Sequence, residues 1–110
     1  MTEKPKRPQQ VYMLVVEVGR KSGDGLPKGA TGAALLCYST GVSEEEAVRE
    51  AVAILKQADM APLDVTGYGS LAEREAAGQE IDADERRLME QALAENAVVV
   101  AQVTPFFPGS

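Results

Sequence analysis

The sequence predicts an α+β domain, a two-layer sandwich in which two main helices pack on a four-stranded mixed sheet in the order ββαβαβ. Three observations predict it. Residues 11–18 and 97–104 are valine-rich runs of strand length, apolar on both alternating sets of positions. Residues 43–59 repeat apolar side chains at three- and four-residue spacing behind a capping signal, the pattern of an amphipathic helix. Residues 82–96 carry a second such pattern, with an aspartate at its head and an asparagine at its end.

Residues 1–10 are polar, basic and broken by prolines, a tail expected to be flexible ahead of a single domain over 11–110. Val11 to Val18 is interrupted only at Glu17 and belongs in the middle of the sheet. The stretch Gly19 to Gly32 holds five of the ten glycines and is expected as a long, flexible connection. Gly32 to Ser39 is the second strand, with Leu35 and Cys37 on one face and Leu36 and Tyr38 on the other.

Ser43 and Glu46 then form a capping box, and Val48, Ala51, Val52, Leu55 and Ala58 make the buried stripe, widened by Ile54. Pro62 stops this helix. Leu63 to Tyr68 alternates as a half-exposed edge strand. Ser70 and Glu73 open a short helical piece that Gly78 ends, and Asp82 caps the second long helix, whose stripe is Leu88, Met89, Ala92 and Leu93. Ala97 to Thr104 is the last strand, followed by Phe106 and Phe107 between two prolines.

If each long helix is a crossover, strands two, three and four run parallel to one another and antiparallel to the first. Strands one and four are apolar on both faces, so both faces of the sheet need cover. A ferredoxin-like architecture meets this need when a second subunit closes the open sheet face, which predicts a homodimer. A three-layer α/β/α arrangement is the alternative.

The chain has 110 residues and a net charge of −6. Residues 1–42 carry six Lys/Arg and three Asp/Glu, residues 43–96 carry five and fourteen, and the last fourteen residues carry none. An acidic body disfavours nucleic acid. Histidine is absent, which removes the commonest general base and transition-metal ligand. No cofactor and no metal are expected: Glu80, Asp82, Asp84 and Glu85 lack the frame of a calcium loop, and Asp82 and Glu85 serve the helix start. Cys37 lies mid-strand as a small buried hydrophobe. With no apolar run long enough to span a bilayer and no signal peptide, the expected location is the cytoplasm.

Two places invite function. Backbone N–H groups of the glycine-rich loop, with Arg20, Lys21 and Lys28, suit a small anion, although the spacing matches no P-loop and a strand follows where a helix would be needed. Tyr38 and Tyr68, near Thr40 and Ser70, stand at the ends of two strands expected to be parallel, where ligands gather. Phe106 and Phe107 suit an interface.

The hairpin followed by Gly-Val-Ser-Glu-Glu-Glu-Ala-Val-Arg-Glu-Ala, residues 41–51, is similar to the strand-strand-helix opening of HicB-type antitoxins over about a third of the chain. The proline and the Gly-Cys before the turn that mark that family are missing, and no residue role is carried over. The expected function is a non-catalytic interaction domain that self-associates and binds another protein. The alternative is a binding protein or enzyme for a small anionic metabolite.

Overall fold

The computed structural model describes residues 8–108. Its strands are β1 (Gln10–Gly19), β2 (Gly32–Gly41), β3 (Ala61–Ser70) and β4 (Val99–Phe106), and its helices are α1 (Glu44–Gln57), α2 (Leu71–Ala76) and α3 (Ala83–Glu95). The strands form one sheet in the order β3-β1-β2-β4, so the class is α+β as predicted. Of the basic tail, residues 1–7 lie outside the described residues, and Gln10 already belongs to β1.

Two expectations about the sheet are corrected. Every neighbouring pair is antiparallel, so the sheet is not mixed. Both hairpin strands sit in the centre, an order that differs from the ferredoxin-like one. β2 and β3 do run parallel, but β1 lies between them. β4 runs opposite to β2, because its connection does not return along the sheet. β3 ends at Ser70 beside Tyr12, and β4 begins at Val99 beside Tyr38, at the same end. The α2–α3 segment therefore crosses the sheet's width, about 14 Å for three strand spacings. With 13 residues, α3 supplies about 20 Å of helix for that crossing.

Alternation along the strands sorts the core. Tyr12, Leu14, Val16 and Val18 of β1 and Ala33, Leu35 and Cys37 of β2 share one face, where they meet Ala47, Ala51 and Leu55 of α1. The stripe thus lies nearer the helix start than predicted: Ala47 is fully buried, whereas Ile54 and Ala58 are exposed. Alanines at the contact let α1 lie close to the sheet. On the opposite face, Met89 and Ala92 of α3 pack on Val11 and Tyr38, with Met13, Leu88 and Val99 at the margin. α1 and α3 therefore occupy different faces, and the two-layer arrangement gives way to helices on both. The cover is unequal, because the rows of Val15 with Leu36 and Glu17 with Ala34 lie beyond α3.

The helix starts follow the capping chemistry with one difference. Ser43 accepts from the Glu46 N–H, but the Glu46 carboxylate accepts from the N–H of Val42 rather than of Ser43. At α2 the reciprocal box is complete between Ser70 and Glu73. At α3, Asp82 accepts from the Glu85 N–H at 2.8 Å, which leaves the Glu85 carboxylate to pair with Arg74 of α2. Asn96 ends α3 in the left-handed region, φ 49°, and its side-chain oxygen accepts from the Thr40 hydroxyl at 2.7 Å. That bond ties the end of α3 to the end of β2.

The connection between β1 and β2 has an organised centre. Asp24, 5 % exposed, accepts from the backbone N–H of Lys21 at 2.8 Å and of Leu26 at 3.0 Å, and from Arg20 Nε at 3.0 Å. The Arg20 guanidinium also donates to the carbonyls of Pro27 and Ala30. These bonds fold the loop onto itself, in place of the flexible connection its glycines suggest. At its far end a Cβ on Gly32 would lie 2.4 Å from the Val18 carbonyl oxygen, so only glycine fits where the hairpin strands meet.

Candidate functional site

The residues singled out for an anion site are not brought together. Arg20, Lys21 and Lys28 follow the end of β1, whereas Tyr38 pairs with Met13 near its beginning. Seven residues of strand separate Met13 from Arg20, about 23 Å. Arg20 spends its donors on Asp24 and two loop carbonyls, while Lys21 and Lys28 are exposed. Tyr38 is 2 % exposed beneath α3, and Tyr68 is 50 % exposed on β3, with β1 between their strands.

The loop carboxylate gives a testable pH response. Hydrogen bonds from the Lys21 and Leu26 N–H groups, then the Arg20 guanidinium, hold the Asp24 carboxyl below its ordinary range against the opposing effect of desolvation. A lowered folded-state pKa means that Asp24 contributes fully above the ordinary carboxylate pKa and loses its contribution as the pH falls through the lower, folded value. The amide resonances of Lys21 and Leu26 are therefore expected to titrate together, with a midpoint below that of a free aspartate. A midpoint at or above the free value would contradict this account of the loop.

Other chemically capable groups are sequestered. Burial pushes the Cys37 thiol up to about 11, so it carries no thiolate at neutral pH. The hydroxyls of Tyr12 and Tyr38 are raised, first by desolvation and then by nearby carboxylates, Glu73 and Glu44 for Tyr12 and Glu85 for Tyr38. Among the described residues no group of three or more His, Cys, Asp or Glu is placed to hold a metal ion. No described helix is long and apolar enough to cross a membrane. A groove of about 250 Å³ opens between the start of β1 and the two later helices, lined by Val11, Leu71, Ala72, Glu75 and Leu93. Glu75, the one charged group among the described lining residues, pairs with Arg86.

What remains conspicuous is β4. The sequence predicts a strand covered on both faces, and the fold puts it at an edge with most side chains exposed. Val100 and Val103 are 41 % and 44 % exposed on the α1 side, and Phe106 is 39 % exposed on the opposite side. The Phe106 carbonyl accepts from the Thr31 N–H at 2.8 Å and from its hydroxyl, which docks the end of β4 on the loop. Phe106 and Phe107, the expected interface pair, thus stand at the corner where β4 meets the loop. Val100 and Val103 were not singled out as site residues. The signal that could have found them is the absence of charge after Glu95.

Fold and surface together define a small α+β domain whose half-covered antiparallel sheet ends in an uncharged, apolar edge strand. The chain belongs to the family described as Domain of unknown function (DUF8846), whose model matches residues 11–107. That match runs from the second residue of β1 to the residue after β4, so the family unit and the sheet coincide. No curated protein and no solved structure matches the chain.

Proposed function

We propose that the chain is a non-catalytic interaction domain of the cytoplasm that self-associates as a homodimer and offers its remaining surface to another protein. One observation carries this reading: β4 exposes valines and a phenylalanine on an edge strand with no charged residue. Apolar edge strands are normally blunted by charge or covered, because they pair with other chains. An acidic chain of net charge −6 repels its own copies wherever its charges face each other, and this strip is where they do not. The small-anion alternative gains nothing from the loop, whose arginine is committed and whose lysines lie far from the tyrosines.

Light scattering on the whole chain at micromolar concentration tests the proposal. The expected result is the mass of two chains. A single-chain mass across that range would overturn self-association.

A further inference from the structure

Resting on the reading that the chain self-associates, we infer that two copies join edge to edge through β4, antiparallel about a two-fold axis at Val103, to make one eight-stranded sheet. The backbone of β4 supports this geometry. Pro105 pairs in register with Ala33 but has no N–H, so that position is one where the backbone groups of β4 face away from β2. The two-residue repeat puts Val103, opposite Leu35, in the same state. Its N–H and C=O therefore point outward from the sheet, at the middle of an edge that no described strand covers.

Pairing β4 with itself about Val103 satisfies several groups at once. Val103 meets its symmetry mate and exchanges two hydrogen bonds with it, and the two exposed side chains touch on the α1 side. Gln102 falls opposite Thr104 of the second copy, a polar pair on the other face. The register of β4 against β2 shifts between Val100 and Gln102, which leaves Ala101 as the bulged residue. Ala101 then falls opposite Pro105, so the strand's two irregular positions meet each other and leave the stretch between them regular.

The opposite edge is unsuited to this. β3 carries Pro62, Asp64, Gly67 and Gly69, and its register against β1 shifts twice. A charge, two flexible glycines and repeated register shifts protect that edge, whereas the one proline and one bulge of β4 fall opposite each other in the inferred pairing, where Pro105 costs one hydrogen bond at each end. A second copy is the occupant the strip fits, because it brings the same uncharged strand to a surface on an acidic chain.

Three variants and one exchange measurement test the inference. Val103→Lys places a charge beside its own copy, and Val103→Pro removes an outward N–H that the β2 ladder does not use. Each is expected to weaken the dimer at least about tenfold while far-UV circular dichroism stays unchanged. Leu63→Lys, on the β3 edge, should leave the dimer intact. In the unaltered chain, the Val103 amide should exchange at least about tenfold more slowly under dimeric than under dilute, monomeric conditions. A dimer that survives both Val103 variants, or a Val103 amide unprotected in the dimer, overturns edge pairing and leaves self-association standing. A chain that is monomeric throughout overturns both. Should Val103→Pro fail to fold, the exchange measurement decides.

Discussion

Replacing Leu14 with alanine is expected to lower the free energy of unfolding by about 3–4 kcal/mol. Leu14 is fully buried in the central strand β1, and it packs with Tyr12 beneath Ala47 and Ala51 of α1, flanked by Val48, Val65 and Val98. Small residues on the helix side bring its backbone close to the leucine. The void left by truncation is then bounded by backbone and by β-branched side chains that cannot swing into it. A domain of this size has roughly 5–15 kcal/mol in total, so one methyl-bearing side chain accounts for a large share. Leu63→Ala, at a leucine 72 % exposed on β3, is the matched control and should change stability by less than about 0.5 kcal/mol. Urea unfolding of both variants measures the contrast. A Leu14→Ala loss below about 1.5 kcal/mol would show that α1 relaxes onto the sheet instead of bridging a void.

The elements that proved legible are those whose signals are local. Ser43, Ser70 and Asp82 each begin a helix because a side-chain oxygen must satisfy an N–H within three residues, and that need is written in adjacent positions. Asn96 ends α3 for the same kind of reason, since it tolerates the left-handed conformation. Direction is a different matter. Caps state where α2 and α3 begin but not whether they run along the sheet or across it, and that choice reversed β4 and changed the strand order. The organised loop was hidden for a related reason. Asp24 reads as one more polar residue among glycines until the chain folds and Arg20, Lys21 and Leu26 surround it.

That the basic loop and the tyrosines do not share one site could have been read from the sequence. A hairpin puts the loop after its first strand at one end of the sheet and the close of its second strand at the other. The basic loop and Tyr38 were therefore apart as soon as 11–18 and 32–39 were paired. β4 shows the opposite case, because an apolar run carries the same pattern whether its own chain or a neighbour covers it. Local preference and final position disagree at Val100 and Val103, and the proposed self-association rests on that disagreement.

Arg74→Ala is expected to cost about 2–3 kcal/mol, because Arg74 ties α2 to α3. It projects from α2, is 8 % exposed, donates to Gln79 and to the Glu85 carboxylate of α3, and lies against Met89. Tyr38 of β2 stands close enough for its hydroxyl to respond to both charges, Glu85 raising its pKa and Arg74 opposing that rise. Truncation removes the cation and strands a partly buried carboxylate beside an apolar cluster, which costs more than the ion pair itself contributes. The loss should fall toward the lower figure, since the Glu85 side chain keeps some contact with solvent. A double variant, Arg74→Met with Glu85→Gln, separates the two effects: it retains the bulk, removes both charges and should recover most of the stability. If the double variant were as unstable as Arg74→Ala, the hydrogen bonds of the ion pair itself, and not the unpaired charge, would be what holds α2 to α3. In Arg74→Ala the Tyr38 hydroxyl should titrate at higher pH than in the unaltered chain, because Glu85 then acts on it without opposition. A spectrophotometric tyrosine titration of the folded variant reads that shift. Movement in the other direction would mean that α3 has lifted and exposed Tyr38 to water.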